Sequence, residues 1–242
     1  MIDSKDYVKK LKQKCEPLFQ FSEGRVKAFF DSNPTTDQLV EYFIPRMVNE
    51  RGNCVGVARR VSNLSDDTTP EEMWTLCKHA MDEAKHFRIG VEIIEHLTGA
   101  PVDIQQHVER IKQRNQTGIV GPSQLMDKYE SATDPLAQAV YNFIGEGRAA
   151  RNWSMIASTA KDPFLAKKYL EIARDEKFHS SIGRKKLEEL CVTQEQQDRC
   201  DALAEEFIND LYAISVAKYI KLKPEMFDMD GCVKQHYPLH AM

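Results

Sequence analysis

The sequence predicts an all-α chain, a four-helix bundle made of duplicated helix pairs, on three observations. Only 11 of 242 residues are glycine, long amphipathic periods dominate, and no β-branched run alternates apolar with polar as a strand would. The pentapeptides Asp82-Glu83-Ala84-Lys85-His86 and Asp175-Glu176-Lys177-Phe178-His179 are both DExxH, each in a long stretch with no Gly or Pro before its His. A glutamate precedes each at hairpin distance: Glu50 lies 33 positions before Glu83, and Glu146 lies 30 before Glu176. Two antiparallel helices and a short turn fill that distance, so each glutamate belongs on the helix before its motif.

Residues 4–30 read as a first flanking helix, bent or broken near Glu16-Pro17, with Leu11, Phe19, Phe21, Val26, Phe29 and Phe30 as its core stripe. After Ser32-Asn33-Pro34, a second helix runs from about Thr36 to Val61 and carries Glu50 among Leu39, Phe43, Met47 and Val57. Its Ile44-Pro45 step should kink it, because proline lacks a backbone donor. Thr69-Pro70-Glu71-Glu72 is a start signal, with a capping hydroxyl, proline at the first helical position and Glu three residues past the cap. The third helix then passes through the first DExxH to about Leu97 and stops at Gly99, before Pro101. Residues 100–134, with Gly118, Gly121 and Pro122, make the long connection that returns the chain for its second helix pair.

Asp134-Pro135 opens the helix bearing Tyr141, Phe143 and Glu146, and Asp162-Pro163 opens the helix of the second DExxH. A last helix over about 193–221 spaces Leu203, Phe207, Leu211 and Ile214 for packing on the bundle, and the tail 224–242 has little periodicity. The expectation is one domain over 1–242 with its core bundle at about 36–191. The halves repeat beyond the motifs: Asp82-Glu83-x-x-His86-x-x-Ile89-Gly90 is answered by Asp175-Glu176-x-x-His179-x-x-Ile182-Gly183, and Ile94 and Leu97 by Leu187 and Leu190.

On a helix, residues three apart share a face, so each Glu-x-x-His can aim both side chains at one centre. Glu50, Glu83, His86, Glu146, Glu176 and His179 thus form a donor set of four carboxylates and two imidazoles, with Met81, Phe87, Ile89, Ile172, Phe178 and Ile182 as apolar surroundings. Such a hard, anionic set neutralises two divalent cations and suits iron better than zinc; manganese or a mixed Mn/Fe pair fits the ligand types equally. Asp82 and Asp175 are placed either to accept the outer ring N–H of the histidine of the opposite half or to form surface salt bridges.

His79 breaks the duplication, lying one turn before Glu83 where the second half has Ile172. Three roles are open to it: a seventh metal ligand, a proton donor at the metal site, or a buried histidine satisfied by a backbone carbonyl. Arg46 and Asn53 flank Glu50 by about one turn, and Arg151 and Asn152 follow Glu146, positions that suit hydrogen bonds behind the ligands or contact with solvent. Trp74 and Trp153 read as core.

A net charge of −4 with scattered Lys and Arg excludes the basic footprint of a nucleic-acid binder. No 18-residue apolar stretch and no signal peptide at the start of the sequence are seen, so a soluble, cytoplasmic protein away from membranes is expected. The six cysteines, Cys15, Cys54, Cys77, Cys191, Cys200 and Cys232, form no CxxC pair and are expected to be reduced and mostly buried.

These residues resemble the ferritin-like di-iron carboxylate oxygenases, and most of all the catalytic subunit of the phenylacetyl-CoA epoxidase family. The similarity runs from Met47-Val48-Asn49-Glu50 and Val55-Gly56-Val57, through Asp82-Glu83-x-x-His86, to Glu176-x-Phe178-His179, over roughly residues 40–190. It implies a ferritin-like bundle in which the six donors hold two irons and serve as the catalytic residues. The implied reaction is O2-dependent monooxygenation of a small organic substrate by hydroxylation, epoxidation or N-oxygenation, with the second oxygen atom leaving as water. No flavin fingerprint and no four-cysteine iron–sulfur pattern occurs, so the electrons would come from a separate reductase or ferredoxin. Relatives also work as homodimers or in oxygenase complexes. Iron oxidation, peroxide scavenging and radical generation, the last needing a tyrosine such as Tyr141 or Tyr169 near the metals, are alternative activities within the wider group. His79 departs from the six-ligand pattern; as a ligand it would make the site resemble the seven-ligand N-oxygenases.

Overall fold

The computed structural model describes residues 2–115, 125, 128–129 and 134–220, and outside caps and short turns these residues are helical. The elements are α1 (Ser4–Asp31), α2 (Thr36–Ser62), α3 (Pro70–Thr98), α4 (Ile104–Asn115), α5 (Pro135–Val140), a π-helical turn (Tyr141–Glu146), α6 (Gly147–Thr159), α7 (Pro163–Leu190) and α8 (Gln194–Ile220). The residues 116–124 of the central connection, the tail 224–242 and Cys232 lie outside the described residues. Among the described residues, no helix is long and apolar enough to cross a membrane.

The helix starts follow from their caps. Thr69 Oγ accepts from Glu72 N at 3.2 Å while the Glu72 carboxylate accepts from Thr69 N at 3.3 Å, and Thr35 and Gln38 form the same reciprocal pair at the start of α2. Asp134 and Asp162 each accept a backbone N–H just beyond a proline at the first helical position. Gly99, at φ +67°, ends α3 in the left-handed conformation that glycine adopts without steric cost.

Neither proline breaks its helix. α1 continues through Pro17 and α2 through Pro45. A proline removes one hydrogen bond, but buried Cys15, Leu18 and Phe19 around the first, and Phe43, Ile44 and Met47 around the second, hold the helix across that gap.

α2 lies along α3 and α6 lies along α7, with α1 against α6 and the two pairs meeting through α3 and α7. Both pairs are drawn close by the repeated glycine. A Cβ on Gly90 would sit 3.0 Å from Met47, one turn before Glu50, and a Cβ on Gly183 would sit 2.4 Å from the backbone N of Phe143, one turn before Glu146. The second approach falls on the π turn, which the sequence pattern does not announce. Ser180 of α7 donates to the Phe143 carbonyl at 3.0 Å, giving a partner to the ladder where it widens.

Two apolar clusters are separated by a polar band. Leu187 of α7 and Cys191 at its C-terminal cap join one with Leu136, Val140 and Ile144, while Leu165, Tyr169, Ile172 and Ala173 join the other with Trp153 and Ile156. Glu176 and His179 on α7, and Glu146 on the neighbouring run, fall between them. Each fully buried aliphatic or aromatic side chain contributes about 1.5–3 kcal/mol, and these clusters offset the cost of the charged band.

Candidate metal centre

The six donors converge inside the bundle. Glu50 comes from α2, Glu83 and His86 from α3, Glu146 from the end of the π turn, and Glu176 and His179 from α7, and all six are buried. Their atoms fall into two groups, each with its members within 4.8 Å of one another: Glu50, Glu83, His86 and Glu176 in one, and His79, Glu83, Glu146 and His179 in the other. Glu83 belongs to both. In the first group His86 Nδ1 stands 3.9 Å from Glu50, 3.9 Å from Glu83 and 3.6 Å from Glu176. In the second, His179 Nδ1 stands 3.3 Å from Glu83, and His79 Nε2 stands 3.3 Å from Glu83 and 3.9 Å from Glu146; His179 Nδ1 also stands 3.3 Å from Glu176 of the first group. These groups could each hold a metal ion.

The outer sides of the rings are fixed across the two halves. His86 Nε2 meets Asp175 Oδ2 at 3.1 Å and His179 Nε2 meets Asp82 Oδ2 at 3.2 Å. Lys78 braces Asp82 and Lys85 braces Asp175, each at 2.5 Å. With its outer nitrogen held by a carboxylate, each ring turns its Nδ1 inward, where the neutral imidazole has a lone pair to offer.

The electrostatics follow from burial and from the charges of the donors themselves. Burial, then Glu176, pushes the Glu50 carboxyl up to about 7. Burial together with Glu50, Glu176 and Glu146 drives Glu83 well above the usual carboxylate range. Burial pushes the Asp82 carboxyl up too, but the hydrogen bonds and charges of His179 and Lys78 outweigh it and hold it down to about 2. Burial likewise disfavours the His179 imidazolium, yet hydrogen bonds to Asp82 and Glu176 carry its pKa up to about 9. His79 is held well below its ordinary value, first by burial and then by His179 and the other cations around it.

The fit to metal ions can be tested on the polar atoms themselves. Glu50 Oε2, both Glu83 oxygens, His86 Nδ1 and both His79 nitrogens are buried without a hydrogen-bond partner. Buried polar atoms normally find partners, and each orphan costs about 1–3 kcal/mol. Here they are gathered on one centre with lone pairs of the right chemistry, so the residues present fit a pair of divalent ions. The backbone-carbonyl role for His79 does not hold, because neither ring nitrogen has such a partner.

No known protein family matches this chain by its sequence profile, and no curated protein is significantly similar to it.

Several neighbouring residues stand differently from their sequence reading. Trp153 is core, but it also donates from Nε1 to Glu176 Oε1 at 3.2 Å. Its place seven residues after Glu146, two turns along the same face, was the available signal. Trp74 is 57% exposed and Met81 64% exposed, so neither lies in the core. Met81, two positions before Glu83, points to the opposite side of α3. Asn53 is buried beside Asn49, whereas Arg151 turns away from the donors to pair with Glu16 and Glu23 of α1. Cys15, Cys191 and Cys200 are buried free thiols; Cys77 is exposed and Cys54 lies between.

Proposed function

We propose that the buried donors hold two metal ions, iron in the first instance, and that the protein is an O2-dependent oxygenase of a small organic substrate. The observation that carries this reading is the pair of four-donor groups sharing Glu83, whose inward atoms are unpartnered and whose histidines are oriented by aspartates of the opposite half. In this reading the bundle is ferritin-like, and the resemblance to the phenylacetyl-CoA epoxidase catalytic subunit reflects a shared use of twin DExxH helices. Manganese, or one ion of each metal, suits the same donors.

Glu50 and His86 would serve one ion, Glu146, His179 and His79 the other, and Glu83 and Glu176 would reach both. When bound, the ions supply the redox equivalents and the Lewis acidity needed to activate O2. The chain does the rest. Asp175 and Asp82 hold the ring protons on the outer nitrogens, Lys85 and Lys78 keep those aspartates ionised, and Trp153 steadies Glu176. The flanking apolar clusters exclude water from the centre. His79, as a neutral imidazole 3.3 Å from Glu83, adds a seventh donor. The electrons would come from an external reductase or ferredoxin.

The test is metal content after expression with iron, followed by O2 uptake by the reduced protein. About two irons per chain are expected, with O2 consumed in step with their oxidation. Glu146→Ala should lose metal and O2 uptake together. Failure to bind metal under iron, manganese and mixed loading would overturn the reading.

A further inference from the structure

The outward face of α3 is not the charged face expected of a solvated helix. Met73, Cys77, Met81, Ala84 and Arg88 follow one another at intervals of three or four, with Trp74 beside them, and all are exposed. Trp74 and Met81 are the two most exposed large apolar side chains among the described residues. A single exposed apolar residue is ordinary, but a row of them along one helix, with tryptophan and methionine in it, marks a surface that another protein covers.

The same face is the outer wall of the metal centre. Trp74 packs edge-on against Phe178 of α7 with ring centroids 6.4 Å apart, and Phe178 lies 6.1 Å from the ring of His179. A surface ring is thus joined through one partly buried ring to a proposed ligand. Lys78 lies 4.5 Å over Phe178 and braces Asp82, the outer partner of His179. Lys85 does the same for Asp175, the outer partner of His86. Both lysines are more exposed than the aspartates they hold.

The charge of this face is one-sided. Between Glu72 and Glu92 the only acids of α3 are Asp82 and Glu83, both buried, while Lys78, Lys85 and Arg88 lie further out. Arg88 shares Glu92 with Lys168, which leaves a positive charge over. On the α7 side Glu171 stands 3.9 Å from Lys85, at the edge of the row. A second copy of the chain would bring the same cations towards one another, so the face suits a partner with acids set around an apolar centre.

We propose that this face of α3 docks an acidic one-electron carrier protein, and that electrons enter the centre from it beside Trp74 and Phe178. The proposal rests on the oxygenase reading, whose balance is O2, substrate, two electrons and two protons giving oxygenated product and water. Two reduced carriers each lose one electron at this face, and each of the two oxidised metal ions gains one. The protons come from solvent. Trp74, Phe178 and the Lys–Asp pairs are not themselves consumed; they fill the space between carrier and ligands with packed atoms.

The experiment mixes full-length, iron-loaded, oxidised protein anaerobically with reduced plant-type ferredoxin, an acidic iron–sulfur protein, or with dithionite, a small reductant that needs no docking. Iron reduction is followed by stopped-flow absorbance. Ferredoxin is expected to reduce the parent at a rate that falls as salt rises. Met81→Glu and Arg88→Glu should slow that reaction by about tenfold or more, and Arg88→Glu should also flatten its salt dependence. Trp74→Leu keeps an apolar side chain and loses the ring, so it should slow reduction at saturating ferredoxin. All three should match the parent in iron content, Tm and reduction by dithionite. Val192→Glu, at an exposed apolar residue in the turn after α7, should match it in every assay. Undiminished ferredoxin reduction in Met81→Glu and Arg88→Glu would overturn the docking face, and failure of ferredoxin to reduce a parent that dithionite reduces would rule out the acidic carrier. An unchanged rate at saturation in Trp74→Leu would remove the ring path alone. Self-association of the parent in sedimentation, abolished by Met81→Glu, would give the face to a second copy. A parent that binds iron but takes up no O2 after dithionite reduction would sink the oxygenase reading, while the ferredoxin rates still report on docking; a chain that binds no iron would sink both.

Discussion

His79 is where the second half of the repeat cannot stand in for the first. Its ring is buried, held neutral, and lacks a partner on either nitrogen, so without metal it is a cost to the fold. His79→Leu should raise the stability of the metal-free protein by about 1–3 kcal/mol, because an orphaned polar group is replaced by an apolar one. The same change should lower bound metal from about two ions per chain toward one, as the second group loses a donor. Denaturant unfolding and metal analysis on one preparation would check both; unchanged metal content would return His79 to the core. Asp82 makes the complementary case. Asp82→Asn removes the charge that orients His179, and metal affinity should fall about 10–100-fold while the chain remains folded, as measured by competition with a chelator.

At the scale of elements, the position of Glu146 depends on a π turn pressed against a glycine. A methyl at Gly183 would lie 2.4 Å from backbone N of Phe143, and backbone cannot move aside as a side chain can. Gly183→Ala should cost at least about 1–3 kcal/mol and displace Glu146, reducing metal content, whereas Gly90→Ala meets the root of Met47 at 3.0 Å, a looser approach, and should cost less. Thermal unfolding and metal content of the two variants would rank them. The repeat placed Gly90 and Gly183 at matching positions, so their shared use was legible, but the π turn was not. Nothing in Tyr141-Asn142-Phe143-Ile144-Gly145 breaks the helical pattern, and the extra residue shows only in the backbone. The donor helices could be read because ligands three apart and strong caps are local features. Trp74 could not, since its exposure depends on which face of α3 meets α7.

For the whole molecule, the centre makes stability depend on metal and pH together. His179 holds its proton to about pH 9 when folded, against an ordinary value of 6.5. Between those values the folded chain keeps a proton that the unfolded chain has released, so raising the pH weakens the metal-free fold, on the order of 1.4 kcal/mol per unit for each proton retained. Glu50, raised from 4.5 to about 7, acts in the same direction over its own lower window. His79 opposes them only below about pH 6.5, where the unfolded chain takes up the proton that buried His79 refuses. Bound ions displace these protons and stabilise the folded state by mass action, and they do so more strongly as the pH rises. The Tm of protein in chelator should therefore fall from pH 6.5 to 9, while that of protein loaded with Fe(II) or Mn(II) under anaerobic conditions holds, so the gap widens across the window. A metal-free Tm that climbed over the same range would mean that His179 is neutral in the folded chain. Its contact with Asp82 would then be an ordinary hydrogen bond between a neutral ring and a carboxylate, and not an ion pair.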